Sequence, residues 1–336
     1  MIRVAINGFG RIGRLAFRQI VTQTDFDIVA INGTVPPEDL AYLVKFDTMH
    51  GTFHENEIVA EGNEIVVAGR KRIKIVSDRD PLNLPWKDLN IDLVLECTGK
   101  FTDLEGAQKH ITAGAKKVLI SAPGKGDMKT IVYGVNENTL DGTEQIVSAA
   151  SCTTNCLAPV LNLINNEYGI KKGYMTTVHA YTNDQANLDI SHSKGIYSRR
   201  GRASAQNIVP ASTGAASAIG NVIPSLKGKL DGLAFRVPVA DGSVVDLTLE
   251  LNKKVTKEEI NELFKSRQNE VMQITFEPLV SSDVIGRKVG ALVDGLSTNV
   301  IETAEGEQLV KIIAWYDNEF GYTAQMLRTA KSMFKN

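Results

Sequence analysis

The sequence predicts an α/β fold in two parts: a doubly wound parallel sheet, then an α+β part with a largely antiparallel sheet. Up to about residue 150, short apolar runs alternate with helical or turn segments, as in βαβ units. Beyond Ser151 the apolar runs are longer and alternate with polar residues, which is typical of antiparallel strands. The length of 336 residues suits two domains of ordinary size.

The N-terminal segment is the strongest pattern in the first part. Arg3 to Asn7 reads as a strand, GFGRIG follows at 8–13, and a helix is predicted from Arg11 to about Val21, before a second strand at 26–32. In this GxGxxG pattern, Gly8, Gly10 and Gly13 allow a tight turn and close backbone approach, so that a pyrophosphate can rest on the helix N-terminus. The context favours a Rossmann-type dinucleotide site over a glycine-rich turn that only packs helix on strand.

The other elements follow in order. Strands are predicted at 73–76, 92–97, 117–121 and 145–149, with a helix at 105–114. In the second part, strands are predicted at 229–240, 244–251, 289–293 and 309–316. Thr256 and Glu259 form a capping box for a helix that runs through Arg267, and apolar residues at helical spacing over 320–334 predict a C-terminal amphipathic helix.

Composition limits the class of protein. Hydrophobic residues make up 43%, charged residues 23%, and the formal net charge is −2, so neither nucleic acid nor a membrane is expected as the main partner. The N-terminus enters a strand without an apolar leader, and three cysteines show no disulfide framework. We therefore expect a cytoplasmic protein.

Cys152 is the best candidate for a reactive group. It lies in SCTTNC (151–156), between an apolar run and a helix predicted at 153–168. The positive end of a helix favours an anion, so we expect the Cys152 thiol to ionise more readily than a free cysteine. His179, at the end of the apolar run 174–178, is a candidate base. A cysteine hydrolase could use the same pair, but it would leave the GxGxxG unit without a role.

Taken together, the motifs resemble the phosphorylating glyceraldehyde-3-phosphate dehydrogenase family over nearly the whole chain. The matching segments are AINGFGRIGR (5–14), SAP (121–123), SCTTNC (151–156), HAYT (179–182), TGAA (213–216) and WYDNE (315–319). The resemblance implies a dinucleotide-binding Rossmann domain at 1–150, a catalytic domain at 151–315, and a C-terminal helix at 316–336 that returns to the first domain. It also implies a cytoplasmic homotetramer that acts in glycolysis or gluconeogenesis.

The resemblance implies a mechanism for the reversible oxidation of glyceraldehyde 3-phosphate to 1,3-bisphosphoglycerate. Cys152 would attack the aldehyde, with His179 as base, and hydride would pass from the hemithioacetal to the nicotinamide, leaving a thioester for inorganic phosphate to attack. Thr182 and Arg236, with Asp184 orienting the arginine, would bind the substrate phosphate. The attacking phosphate would contact Ser151, Thr153, Thr213 and Gly214, with Arg200 reaching toward both. The loop at 193–202 is about three residues longer than is usual in the family, which leaves the register of its arginines open.

The resemblance also implies cofactor contacts, with one departure. The implied contacts are Gly8, Gly10, Arg11, Ile12, Gly13, Asn32, Thr34, Arg79, Ser121, Ser191 and Asn318. Relatives that use NAD carry an acidic residue where this chain has Gly33, and a proline where it has Ser191. Without that carboxylate a 2′-phosphate is not repelled, so we expect NADP as the favoured cofactor, with NAD or a weakened NAD site as the alternative.

Other interpretations are weighed against this one. Erythrose-4-phosphate dehydrogenase shares the architecture and the cysteine chemistry, but Thr213 and Gly214 favour phosphate as the acceptor. A non-catalytic dinucleotide-binding or RNA-binding protein is a further alternative. Arg79 could pair with neighbouring aspartates, and Asn318 could cap the last helix. Cys156 and Cys97 are interpreted as core residues, and no metal site is expected.

Overall fold

The computed structural model describes residues 1–69 and 71–334, and the chain divides into two compact units. The N-terminal unit comprises residues 1–131, 137–151 and the segment from Met326 on. The C-terminal unit comprises Val132–Asn136 and Cys152–Gln325. No helix within 1–69 and 71–334 combines the length and apolarity needed to span a membrane.

The strands of the N-terminal unit belong mainly to one sheet. Those described are β1 Ile2–Asn7, β2 Phe26–Asn32, β3 Phe46–Asp47, β4 Gly51–Thr52, β5 Ile58–Glu61, β6 Glu64–Val67, β7 Lys71–Val76, β8 Leu93–Glu96, β9 Lys117–Ile120, β10 Lys129–Thr130 and β11 Ile146–Ser148. The sheet has the order β10-β11-β9-β8-β1-β2-β7-β6-β5, and β3 pairs separately with β4. Its helices are α1 Arg11–Ile20, α2 Pro37–Lys45 and α3 Leu104–Thr112.

The order of the parallel strands identifies the ligand-binding edge, that is, the side of the sheet where the carboxyl ends of these strands lie. Six neighbouring strands of the sheet run parallel to one another, in the order β7-β2-β1-β8-β9-β11, and β10 is parallel to β11. The direction of strand addition reverses between β1 and β8, and ligands of doubly wound sheets bind at the carboxyl ends of the strands beside such a switch point. In β1, Val4 and Ile6 join one buried cluster and Ala5 the other, so both faces of the sheet are covered. The predicted doubly wound sheet is confirmed.

The C-terminal unit is a mixed, largely antiparallel sheet with helices. Its strands are β12 Ile170–Ala180, β13 Val209–Ser212, β14 Leu230–Val237, β15 Ser243–Leu251, β16 Met272–Thr275, β17 Ala291–Asp294, β18 Asn299–Glu302 and β19 Gln308–Tyr316. The order is β13-β14-β12-β15-β19-β17-β16, with β18 on β19. Its helices are α4 Cys152–Tyr168, α5 Ala215–Val222 and α6 Lys257–Ser266; α7 Phe320–Ser332 passes into the N-terminal unit at Met326.

Local sequence signals explain the framework around α4. Successive residues of β15, and of β19 from Val310 on, alternate between buried and partly exposed, and α4 packs on these strands. The predicted capping box is present, since the Thr256 hydroxyl accepts from Glu259 N and the Glu259 carboxylate accepts from Thr256 N. Two parallel pairings in this sheet were not anticipated: β12 with β14, and β16 with β17.

Candidate active site

Cys152 is the first residue of α4, as its sequence context suggested. Two residues earlier, buried Ala150 has φ of 59°, in the left-handed region that a side chain disfavours. A non-glycine residue held there costs on the order of 1–2 kcal/mol, and such strain often occurs next to functional residues. The chain therefore makes a constrained turn just before it presents the thiol.

His179 lies beside this thiol. On β12, its Nε2 is 3.3 Å from Cys152 Sγ, while its Nδ1 is 2.6 Å from the carbonyl oxygen of Ala180. A carbonyl oxygen can only accept, so Nδ1 carries the proton and Nε2 presents its lone pair to the sulfur. The geometry therefore makes Nε2 the acceptor for the thiol proton.

Strand register brings Arg236 to the same place. In the parallel pair β12 and β14, His179 is aligned with Arg236. Arg236 Nη1 donates to the Ala180 carbonyl at 3.1 Å and to Thr182 Oγ1 at 3.0 Å. Its buried Nε has no hydrogen-bond partner among the described residues, and no carboxylate there forms an ion pair with it. A partly buried guanidinium without a counter-ion is suited to bind an anion.

The electrostatics of the pair differ from the sequence expectation. Burial and the positive charge of Arg236 together lower the pKa of His179 to about 3, so the imidazole is neutral at physiological pH. Burial raises the pKa of the Cys152 thiol, although Arg236 and the Thr153 donors at the start of α4 act to lower it. The expected low pKa of the thiol is therefore wrong, because burial outweighs the helix donors. The resting pair is a thiol facing a neutral base.

A second polar group extends from Arg236 along the loop after β12. Thr182 Oγ1 accepts from Arg236 and donates to Asp184 Oδ1, and Asp184 Oδ2 pairs with Arg200 Nη1. The Thr182 hydroxyl, Arg200 and Arg236 lower the pKa of Asp184 even though burial opposes this. Asp184 contacts Arg200 and Thr182 directly, so it orients Arg236 only through Thr182. Of the loop arginines, Arg200 is the one that joins this group, whereas Arg202 pairs with Asp189.

The residues predicted for the attacking phosphate are more dispersed. The Thr153 hydroxyl is buried and shares a hydrogen bond with Tyr316 OH, 2.9 Å away, which also bonds Thr177 at 2.9 Å. Thr213 Oγ1 accepts from Ala215 N at 3.2 Å, and Gly214 caps α5, which packs on α4. Ser151 is partly exposed immediately before Cys152.

Tyr316 is a site residue that the sequence did not assign. Its ring packs edge-on against His179, with centroids 5.9 Å apart. It belongs to the matched WYDNE segment, but only the pairing of β15 with β19 places it beside the histidine strand. The tyrosine connects the first turn of α4, through Thr153, to β12, through Thr177.

The glycines of the GxGxxG segment form a close-packed turn at the start of α1. Gly8 has φ of 91°, and a Cβ there would lie 2.7 Å from Thr98 Cγ2. A Cβ on Gly13 would lie 2.2 Å from the Gly8 carbonyl oxygen, so α1 packs directly on the turn. A Cβ on Gly10 would enter open space, and the first turn of α1 has no side-chain cap. These features fit a dinucleotide pyrophosphate at the N-terminus of α1.

Two neighbours of this cradle have structural partners. The Arg11 guanidinium pairs with Asp47, which with the His50 and Met49 amides lowers the pKa of Asp47 to about 2 although burial opposes it. Arg11 is thus positioned to meet a pyrophosphate through its backbone rather than its side chain. Ile12 is partly buried and packs on the core.

The remaining predicted cofactor residues fall in both units. Asn32 bonds both backbone groups of Asp78, at 2.8 and 3.0 Å, which holds the loop carrying Arg79 beside the end of β2. Ser121 follows β9 and bonds the Cys97 thiol, and Ser191 is exposed on the loop before β13. In the C-terminal unit, Asn318 Oδ1 accepts from Ser243 Oγ at 2.6 Å. The residue that caps α7 is Asp317, not Asn318, because its Oδ1 accepts from Glu319 N and Phe320 N.

Comparison with known proteins identifies the family. Residues 2–104 match the family model "Glyceraldehyde 3-phosphate dehydrogenase, NAD binding domain", and residues 151–318 match the "C-terminal domain" of the same family. The chain belongs to the glyceraldehyde-3-phosphate dehydrogenase family. This confirms the resemblance drawn from the motifs and makes the chain an oxidoreductase that acts on an aldehyde and uses a nicotinamide dinucleotide.

Relatives match the dehydrogenase along its whole length. It is 53% identical over 335 residues to the glyceraldehyde-3-phosphate dehydrogenase of Clostridium pasteurianum, covering 100% of this chain and 99% of the relative. Identity to the Clostridium acetobutylicum protein of the same name is 53% over 329 residues, covering 98% of this chain and 97% of that relative. With the Streptococcus pyogenes protein of that name it is 50% over 336 residues, covering 100% and 99%.

Proposed function

We propose that this dehydrogenase converts glyceraldehyde 3-phosphate and inorganic phosphate to 1,3-bisphosphoglycerate, reversibly, and that NADP is its preferred cofactor. The observation that carries the proposal is the Cys152 Sγ to His179 Nε2 contact of 3.3 Å beside a guanidinium, Arg236, that has no ion-pair partner among the described residues. The arrangement supplies a nucleophile, its base and an anion-binding group.

The first step is addition of the thiol to the aldehyde. As the bond from Cys152 Sγ to the carbonyl carbon forms, the thiol proton passes to His179 Nε2, and the carbonyl electrons move to its oxygen. The Cys152 backbone N–H at the start of α4 can donate to that oxyanion. The nicotinamide ring supplies the acceptor for the hydride that leaves the hemithioacetal carbon, after which a thioester remains on Cys152.

The second step is transfer of the acyl group to phosphate. A phosphate oxygen attacks the thioester carbon, the carbon–sulfur bond breaks, and the proton on His179 returns to the sulfur. The proton carried by the phosphate is released to water. Thr213, Gly214 and Ser151 are the proposed donors to this phosphate, while Arg236 and Thr182 bind the phosphate of the substrate.

The proposal is tested by following reduced cofactor with glyceraldehyde 3-phosphate, with and without phosphate, and with NAD or NADP. We expect many turnovers only when phosphate is present. Sustained turnover without phosphate would mean that water takes the acyl group, and a preference for erythrose 4-phosphate would favour the alternative substrate. Cleavage of ester substrates without cofactor reduction would favour a hydrolase.

The end of β2 supports NADP over NAD. Gly33 brings no carboxylate to this position, and the Thr34 side chain is exposed and makes no hydrogen bond within the described chain. Arg79 is also exposed and bonds neither neighbouring aspartate. Asp80 pairs instead with Lys109, and the Asp78 carboxylate accepts from Asp80 N. The Asn32 to Asp78 bonds keep the Arg79 loop at this strand end. The Thr34 hydroxyl and the Arg79 guanidinium, neither with a partner within the described chain, support the preference for NADP, because both groups can bind a phosphate.

Replacing Gly33 by aspartate should reverse this preference. The backbone is not in the left-handed region, and the added Cβ would lie 3.0 Å from Leu40 Cδ1, which a small side-chain shift relieves. Two like charges ~4 Å apart repel by about 4 kcal/mol at an effective dielectric of 20, so we expect kcat/KM for NADP to fall by at least ~10²-fold. Gly33→Asn is the neutral control of matched size, and an equal loss in both variants would contradict an electrostatic cause.

Replacing Arg236 by methionine should weaken substrate binding and thiol ionisation together. Loss of charged hydrogen bonds is expected to raise KM for glyceraldehyde 3-phosphate by ~10–100-fold. Because Arg236 lowers the pKa of Cys152, its removal should raise that pKa and slow alkylation by iodoacetamide at fixed pH. Arg236→Lys retains the charge but not the planar fork, so it should restore alkylation more than KM. Unchanged alkylation in Arg236→Met would contradict the assignment.

A homotetramer in the cytoplasm is also proposed. Between β12 and β13, apolar side chains are unusually exposed in the single chain: Leu188 76%, Ile190 64%, Ile196 77%, Tyr197 97% and Ile208 68%. Exposed apolar groups of this kind are typical of surfaces that become buried on association. Sedimentation of the full chain tests this, and a monomer at micromolar concentration would contradict it.

A further inference from the structure

A buried carboxylate lies at the switch point of the N-terminal sheet. Glu96, the last residue of β8, is 1% exposed. Its Oε1 accepts from Thr98 N at 2.7 Å and from the Thr98 hydroxyl, and its Oε2 accepts from Asn7 Nδ2 at 2.5 Å. Burying a carboxylate is costly unless hydrogen-bond donors satisfy its oxygens, and here the donors come from both sides of the switch point.

His110 completes this set of donors from α3. Its ring is fully buried, and Trp86 Nε1 donates to its Nδ1 at 3.0 Å. An indole nitrogen can only donate, so Nδ1 is the acceptor and Nε2 carries the proton. Nε2 then donates to Glu96 Oε2 at 3.0 Å. The hydrogen bonds from Trp86 and to Glu96 therefore hold the ring in one orientation and one tautomer.

The same chain of hydrogen bonds continues to the next strands. Asn7, the last residue of β1, accepts through Oδ1 from Asn32 Nδ2 at 2.7 Å, and Asn32 is the last residue of β2. Asn32 in turn bonds the backbone of Asp78, in the loop after β7. Thus one continuous network joins the carboxyl ends of β8, β1 and β2 and the loop that follows β7.

The network adjoins the groups that would touch a dinucleotide. Gly8 follows Asn7 and packs against Thr98, where a Cβ would meet Thr98 N at 2.8 Å. Gly33 and Thr34 follow Asn32. We propose that Glu96, oriented by His110, is a positioning residue that holds the carboxyl ends of β8, β1 and β2 in the arrangement that binds a dinucleotide. It would thereby control cofactor affinity without touching the reacting atoms. The role applies to NAD and NADP alike.

The test is Glu96→Gln, which keeps the shape of the side chain. Its amide N–H₂ replaces one acceptor oxygen and therefore faces either the Thr98 donors or those of Asn7 and His110. We expect calorimetric titration with NAD and with NADP to show Kd raised about tenfold or more for both, as loss of charged hydrogen bonds predicts. At saturating cofactor, kcat should stay within about threefold of the unmodified enzyme. Thr98→Val removes the hydroxyl that donates to Glu96, and with it the acceptor of Lys100 N, while Thr98 N remains as a donor. It should shift Kd in the same direction by about threefold, and it tests the proposal if Glu96→Gln does not fold.

Asp92→Asn is the matched control. Asp92 directly precedes β8, so it lies at the other end of the strand from Glu96. There it accepts from Arg3 N at 2.9 Å and pairs with Lys116 at 2.8 Å. It should lower thermal stability but leave Kd for the cofactor unchanged. The proposal is overturned if folded Glu96→Gln binds cofactor within twofold of normal, if Asp92→Asn weakens binding equally, or if kcat falls while Kd does not change.

Discussion

Cys152→Ser is expected to reduce kcat by at least ~10⁴-fold, since loss of the nucleophile in comparable enzymes has effects of this size or larger. Serine preserves the side-chain volume and can still donate to His179 Nε2, so the fold should not change. Its hydroxyl is a much weaker nucleophile and cannot form the thioester. Steady-state assays measure the loss, and mass spectrometry of protein mixed with substrate and cofactor should show no acyl adduct.

Cys156→Ala is the matched control for this variant. Cys156 lies one turn further along α4, fully buried, with its sulfur 3.8 Å from the Ala314 carbonyl oxygen, and burial raises its pKa. Removing it should cost some stability by leaving a small cavity, while activity is retained. Comparable loss of activity in both variants would mean that packing of α4, rather than the Cys152 thiol, is responsible.

His179→Gln is expected to lower kcat/KM by ~10²–10⁴-fold at neutral pH, because the thiol loses its general base. The pH profile distinguishes this from a packing defect. Burial raises the pKa of Cys152, so without a base the reaction needs the small thiolate fraction, which grows as the pH rises toward that pKa. The difference in kcat/KM between His179→Gln and the unmodified enzyme should therefore become smaller as the pH rises.

In the unmodified enzyme the His179 pKa of about 3 predicts that imidazole protonation does not limit activity between pH 5 and 8. An acid limb that disappears in His179→Gln would contradict this. His54→Asn provides a control, since His54 is exposed, its ring contacts only Glu57 and Phe53 among the described residues, and its φ of 44° is one that asparagine tolerates. It should retain full activity.

Much of the fold could be predicted because its signals are local. The β1 to α1 turn, the bounds of β2, and the capping box of α6 depend on residues within a few positions of one another. The sequence did not anticipate α2, or the antiparallel pair β5 and β6 at the edge of the parallel sheet. These elements are short and are defined by contacts between segments: β6 pairs with β5 and β7, and α2 packs on β5 and β6.

The site was predictable in its identities more than in its contacts. The motifs indicated Cys152, His179 and Arg236, but the distance between sulfur and imidazole depends on where α4 meets β12. The link between Asp184 and Arg200, the Tyr316 bridge, and the pairing of Arg11 with Asp47 join residues distant in sequence. The thiol pKa was misjudged because burial is a property of the assembled fold, whereas a helix start is visible locally.

The parallel pairing of β12 with β14 has a consequence for how this gene can change. His179 and Arg236 face each other only because the two strands are aligned residue for residue from Gly173 with Leu230 onward. Since side chains alternate between faces, a deletion or insertion of one codon within either strand would turn one partner away from the thiol. We expect length changes in surviving homologues to be confined to the connecting loops, whereas point substitutions accumulate in the strands themselves.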